Sequence, residues 1–253
     1  MAGTDHKQPL KTETGPAIVL VAPQMGENIG AAARAMLNCG LSDLRLVNPR
    51  DGWPNERADA MSSGALEKMP PVRVHDSTSA AIADCHFVLA TTARTREMVK
   101  PVFTPREAAA ELRRRVNEGQ KTALLFGGER AGLDNDDVAL AHGVVTIPLN
   151  PAFASLNLGQ AVLLTSYEWF ASGDATPARQ MLTGDSAPAT QDELEGLFGR
   201  FEAELEALHF FRSPEQRPTM VRNLRNLLAR AQMTEQEVRT FHGVITALTG
   251  KKK

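Results

Sequence analysis

The sequence predicts an α/β protein with a mainly parallel sheet covered by helices on both faces, followed by a small all-helical extension. Three observations carry this. Unbroken apolar runs such as Ala17-Ile18-Val19-Leu20-Val21 recur up to residue 147, as strands buried on both faces require. Helical patterns alternate with those runs. Beyond residue 190 only helical periodicity remains.

Taken in order, residues 1–16 are polar, without the apolar core of a signal peptide, and read as a flexible tail. Residues 17–21 are the first strand. A helix follows, with Asn28 as its cap, Ile29, Ala32, Ala33, Met36 and Leu37 at helical spacing, and Gly40 closing it. Leu44 to Val47 is a second strand, residues 57–63 a short helix, and Val72 to Val74 a third strand. Ser77 caps a helix through Ala83, and residues 87–92 form a fourth strand that runs into the polar loop 93–97. Thr104 caps the helix 105–117, where Pro105 fits the first turn. Thr122 to Phe126 is a fifth strand and Val144 to Ile147 a sixth. Pro148 and Pro151 stop that strand, and Ser155 caps a helix running to Ala171. The spacing thus divides the chain into a domain over 17–172, a Gly/Pro/Ser-rich linker over 173–190, and helices over 191–208, 214–231 and 234–248. Thr234 and Glu237 spell a capping box.

With 253 residues, 42% of them apolar and 23% charged, the chain has an ordinary globular composition. No run approaches the length of a membrane helix. Cys39 and Cys85 read as free buried thiols, which fits a cytoplasmic setting. The histidines are scattered, so no metal site is expected. A net charge of −2 gives no global attraction to nucleic acid.

Three stretches carry candidate chemistry. The first runs from Thr146 to Ala161. It leaves a sheet at its carboxyl edge, where open α/β sheets bind ligands, and places Ser155 and Asn157 in the bend. The second, Phe126-Gly127-Gly128-Glu129-Arg130-Ala131-Gly132-Leu133, lets backbone approach a ligand; taken alone, a turn with a solvated Glu–Arg pair is the commoner reading. Neither a dinucleotide fingerprint nor a phosphate loop is present, which excludes a nucleotide-binding dehydrogenase. The third is Asn28-Ile29-Gly30-Ala31-Ala32-Ala33-Arg34. Its arginine stands among small residues and can approach a phosphate, or is an ordinary surface arginine.

Together, Asn28-x-Gly-Ala-x-x-Arg34, Phe126-Gly-x-Glu129-x-x-Gly-Leu133 and Ile147-Pro-x7-Leu156-Asn157-x3-Ala161 resemble, in order and separation, the three motifs of the SpoU/TrmH branch of SPOUT RNA 2′-O-methyltransferases. The resemblance spans about residues 16–171. The helical tail, with Phe210-Phe211 and Met220-x3-Leu224-Arg225, looks more loosely like the TrmJ type, which methylates the ribose of tRNA nucleotide 32.

The resemblance implies S-adenosylmethionine as methyl donor, no metal, a homodimer, an RNA substrate, and a trefoil knot between about Thr122 and Ala171. The cofactor would sit on Thr91, Thr92, Ala93, Leu125, Gly127, Gly128, Glu129, Ile147, Leu149, Ser155, Leu156 and Asn157. Asn28, Arg34, Glu129, Ser155 and Asn157 would be the catalytic set, with Arg34 acting on the partner subunit's cofactor. A guanidinium makes a poor base, so Arg34 reads as a phosphate clamp and stabiliser of alkoxide charge. For RNA, residues 210–253 hold nine Lys/Arg against three Glu. Arg222 and Arg225 are candidates on the face away from Met220 and Leu224, and Arg94, Arg96 and Lys100 form a second patch. The alternatives are a ribosomal RNA ribose methyltransferase and a catalytically silent RNA-binding protein. Intact Arg34, Glu129, Ser155 and Asn157 count against silence.

Overall fold

The computed structural model describes residues 9–92, 98–178 and 184–250. Two compact units divide the chain between Thr176 and Pro177. The first holds strands β1 (Ala17–Val21), β2 (Leu44–Val47), β3 (Arg73–His75), β4 (Phe87–Thr91), β5 (Val102–Phe103), β6 (Thr122–Gly127) and β7 (Gly143–Val145). Its helices are α1 (Gly26–Asn38), α2 (Glu56–Ser62), α3 (Ala65–Lys68), α4 (Thr78–Ala81), α5 (Pro105–Asn117), α6 (Asn135–Ala139) and α7 (Leu158–Gly173).

The strands form one sheet in the order β3-β2-β1-β6-β4-β7-β5, every neighbouring pair parallel. Alternation along the strands decides which face each side chain joins. Ile18, Leu20, Leu124 and Phe126 pack with Ile29 and Met36 of α1, Leu112 of α5 and Trp169 of α7. Val19, Val21, Ala123 and Leu125 pack on the other face with Ala81 of α4 and Val138 of α6. The chain lays β1, β2 and β3 outward in one direction, then crosses to β4 on the far side of β6. Such a switch point opens a crevice at the carboxyl ends of the strands.

Three elements were absent from the periodicity: β5 is only two residues long, α3 only four, and α6 hides in the acidic run Asp134 to Asp137, where Asp134 and Asp137 form a capping box. Helices α1 and α7 start differently from the reading of the sequence, as does the helix expected from Pro214, which begins at Arg217. Helix α1 begins at Gly26 with Met25 as N-cap and no side-chain cap, so Asn28 lies inside the first turn. Helix α7 is capped by Asn157, whose side chain accepts from the Gly159 N–H while Gln160 answers the Asn157 N–H; Ser155 precedes the helix.

The second unit contains α8 (Gln191–Ala207), α9 (Arg217–Ala229) and α10 (Glu235–Thr249). Thr190 and Thr234 each open a helix with a capping box, and Leu197, Met233, Val238 and Ile245 form a small core. The end of the expected linker is tied down: the Ala189 N–H donates to the Met233 carbonyl at 2.9 Å. Among the described residues no helix is long and apolar enough to cross a membrane.

Candidate active site

At the end of β6 the backbone turns at once. A side chain at Gly127 would overlap the Gly132 and Leu133 backbone, and one at Gly128 would strike the Ala22 carbonyl, so only glycine fits. The Gly132 N–H closes the turn on the Gly128 carbonyl at 2.8 Å, and Glu129 is thereby held inward across the sheet edge.

Its carboxylate is fully engaged. Oε2 accepts the Gln24 backbone N–H at 2.8 Å, and Oε1 accepts the Asn28 amide at 2.6 Å. Asn28 Oδ1 in turn accepts the Asn157 amide at 2.7 Å, and Asn157 Oδ1 accepts the Gly159 N–H at 2.9 Å. The chain runs in one direction, from the amide of Gly159 in the first turn of α7 to the carboxylate. It pins α1, the β6 turn and α7 to one another. Close approach of the helices makes it possible: Gly159 lies against Ala31, and Gly30 lies against the Ala58 carbonyl.

Beside this network lies a cavity of about 350 Å³ at the carboxyl ends of β4, β6 and β7. The β6 turn contributes Gly127, Gly128 and Glu129 to it; the loop after β7 contributes Ile147, Leu149, Ser155 and Leu156; Thr91, the last residue of β4, and Thr92 just after it contribute as well. These are the residues the sequence motifs singled out. Thr91 is fixed by its hydroxyl donating to the Leu125 carbonyl at 2.7 Å.

Four residues do not lie where the sequence placed them: Leu125, Asn157, Lys100 and Arg225. Leu125 faces the opposite side of the sheet, buried against α4 and α6, and its place is taken by Phe126. Asn157 stands behind the cavity wall and acts through hydrogen bonds. Arg34 does not line the cavity of its own chain; it is exposed on α1 and donates to the Ser63 hydroxyl at 2.9 Å. Ala93, Arg94 and Arg96 lie outside the described residues. Lys100 is turned onto the carbonyls of Ala139 and Ala141 at the end of α6, not toward solvent. In the second unit, Arg225 pairs with Glu195 at 2.7 Å and Glu202 at 2.5 Å across the α8–α9 contact, whereas Arg222 is exposed.

Val145, Ala154, Leu158, Ala161 and Arg130 also line the cavity without having been singled out for it. The parity of Phe126 against Leu125 could have been read from strand alternation had the side taken by α7 been known.

A parallel α/β unit with a half-apolar cavity at the carboxyl edge, built by glycine turns and an asparagine relay, is a small-molecule binding architecture. The chain matches the SpoU rRNA Methylase family over residues 15–167 and the family "tRNA methyltransferase TrmJ, C-terminal domain" over residues 192–253. It is 35% identical over 237 residues to the tRNA (cytidine/uridine/adenosine-2′-O-)-methyltransferase TrmJ of Pseudomonas aeruginosa, covering 90% of this chain and 91% of that one. It is 36% identical over 246 residues to the tRNA (cytidine/uridine-2′-O-)-methyltransferase TrmJ of Salmonella choleraesuis, covering 93% and 97%. The crystal structure of TrmJ from Z. mobilis ZM4 shares 48% identity and superposes with a TM-score of 0.79, over 92% of this chain and 99% of that one. The chain belongs to the SpoU methylase family.

Proposed function

We propose that this protein is an S-adenosylmethionine-dependent tRNA ribose 2′-O-methyltransferase of the cytoplasm, acting on nucleotide 32 of the anticodon loop. The observation that carries the reading is the Glu129–Asn28–Asn157 hydrogen-bond chain, which fixes the three motif segments around one cavity. The cavity suits the donor: apolar Ile147, Leu149 and Leu156 match an adenine face, and the glycine backbone at 127–128 leaves room for close contact. The bound donor supplies an electrophilic methyl group on sulfonium sulfur. Glu129, bound to Gln24 and Asn28, keeps the turn in place, and Ser155 on the cavity wall orients the nucleotide.

Arg34 completes the site from a second copy of the chain. Its exposure on α1, away from its own cavity, supports that role, as does the apolar stripe of Leu163, Leu164, Tyr167 and Phe170 exposed on α7. Its planar fork would hold the phosphate beside the target ribose and steady charge developing on the oxygen. We further infer that the segment from Thr122 to Ala171 closes a trefoil knot. The insertion of β6 between β1 and β4, and the return of α7 onto α1, support it. Arg222, with Arg94 and Arg96, is assigned to the RNA-binding surface, and the exposed position of Arg222 supports its share.

Incubation with tritiated S-adenosylmethionine and, in parallel, tRNA transcript and ribosomal RNA, followed by mass-spectrometric mapping, tests the assignment. Ribose methylation at nucleotide 32 is expected. Label found only on ribosomal RNA, or none on either RNA, would overturn it.

A further inference from the structure

Phe153 is 78% exposed, a large aromatic ring in water. It stands on a 3-10 turn, Pro151–Phe153, held rigid from both ends: the Asn150 side chain accepts the Ala152 N–H at 3.0 Å, and the Phe153 N–H donates to the Asn150 carbonyl at 2.8 Å. Directly after it, Ala154, Ser155 and Leu156 form part of the cavity wall, so the ring sits at the rim. Another wall residue, Arg130, has no acidic partner among the described residues.

What covers this ring is decided by its surroundings. Residues 150–155 are all exposed and, apart from Phe153, small or polar. A contact between copies of the chain would be expected to surround it with apolar side chains, as the exposed α7 stripe does. A lone rigid ring next to the cavity wall, together with a guanidinium in that wall that has no acidic partner among the described residues, suits a different occupant: unstacked bases of single-stranded RNA lie on aromatic faces while their backbone seeks positive charge.

We propose that Phe153 is the stacking platform for a base of the RNA loop entering the cavity, with Arg130 attracting the strand's phosphates. The proposal rests on the RNA-methylating reading and names the side chains that would hold the substrate. It adds a positioning role, since a stacked base fixes its own ribose relative to the cavity.

The test is tRNA binding by fluorescence anisotropy, in the presence of S-adenosylhomocysteine, for wild type, Phe153→Ala, Phe153→Trp and Arg130→Ala. Calorimetry with S-adenosylhomocysteine and light scattering are run on each. Phe153→Ala is expected to weaken tRNA binding about tenfold or more, with Phe153→Trp close to wild type. Arg130→Ala is expected to flatten the salt dependence of binding. S-adenosylhomocysteine affinity should be unchanged in the two Phe153 variants, and assembly state unchanged in all three. Wild-type tRNA affinity in Phe153→Ala would overturn the stacking role, as would a shift to monomer, which would assign the ring to a contact between copies. An unaltered salt slope in Arg130→Ala would overturn the electrostatic part. Failure of the methyltransferase reading is visible separately, as wild-type protein that transfers no methyl group to tRNA.

Discussion

Asn28 is the middle of the relay, where one amide serves two partners 101 and 129 positions away. It is 7% exposed, so an orphaned amide there is costly. Its position before an apolar helical run marks it as a helix cap, the usual role of an asparagine there. Nothing local to residues 25–37 announces a carboxylate arriving from the other half of the sheet; the motif resemblance puts Asn28 and Glu129 in one catalytic set without joining them. The geometry makes a sharp prediction for Asn28→Asp, a change of nearly equal shape. The donor to Glu129 becomes an acceptor, and two carboxylates face each other at hydrogen-bond distance unless one binds a proton. At pH 7 the loss should be about 2 kcal/mol, seen as a melting temperature several degrees below wild type. Between pH 7 and pH 5 the gap should narrow as a proton is taken up. A gap that is constant or widens over that range would contradict the hydrogen-bond polarity assigned here.

Among elements, β2 and α4 are joined by a buried arginine. Arg45, 3% exposed, donates to Asp43 at 2.8 Å, to Asp84 at 2.5 Å and to the Ala81 carbonyl at 2.6 Å. Arg73 and Lys121 add to the carboxylates from β3 and from the approach to β6. Burial pushes the Asp43 carboxyl up, but hydrogen bonds from Arg45 and Arg73 outweigh it and hold it below its ordinary value. The hydrogen bond from Arg45 holds Asp84 well below the carboxylate range. Depressed carboxylates contribute stability above their unfolded pKa, near 4, that is lost as pH falls through their lower folded values. Arg45→Met should therefore cost about 2 kcal/mol at pH 7, discounted because both aspartates are partly exposed. The deficit should stay level down to about pH 5 and shrink below pH 4. Thermal unfolding of both proteins across pH 3–7 checks this; a deficit independent of pH would deny the ion pairs their role. Helices and long strands were legible because their periodicity spans many residues. The two-residue β5, the acidic α6 and the true caps of α1 and α7 were not. Each depends on tertiary partners or on a pattern shorter than one period.

At the scale of the molecule, the sequence supported a parallel sheet but not the position of β6 between β1 and β4, since apolar runs carry no information on strand order. The candidate cavity follows from that order, and the motifs located it only because family members share the arrangement. Arg34 shows the limit most clearly: its motif position marks it, yet in one chain it lies off the cavity. If the α7 stripe is the contact between copies, Tyr167→Asp should give a monomer by light scattering and abolish transfer to tRNA, while the fold remains by circular dichroism; a dimer of unchanged size would exclude this face. The shared site is tested most directly by mixing two inactive variants, Arg34→Ala and Asn157→Ala, after subunit exchange. A mixed dimer holds one site with an intact Arg34 from one chain and an intact Asn157 from the other. About a quarter of wild-type tritium transfer to tRNA is then expected from the statistical mixture, against almost none from either variant alone. No recovery, with exchange verified, would contradict the shared site and return Arg34 to its own chain.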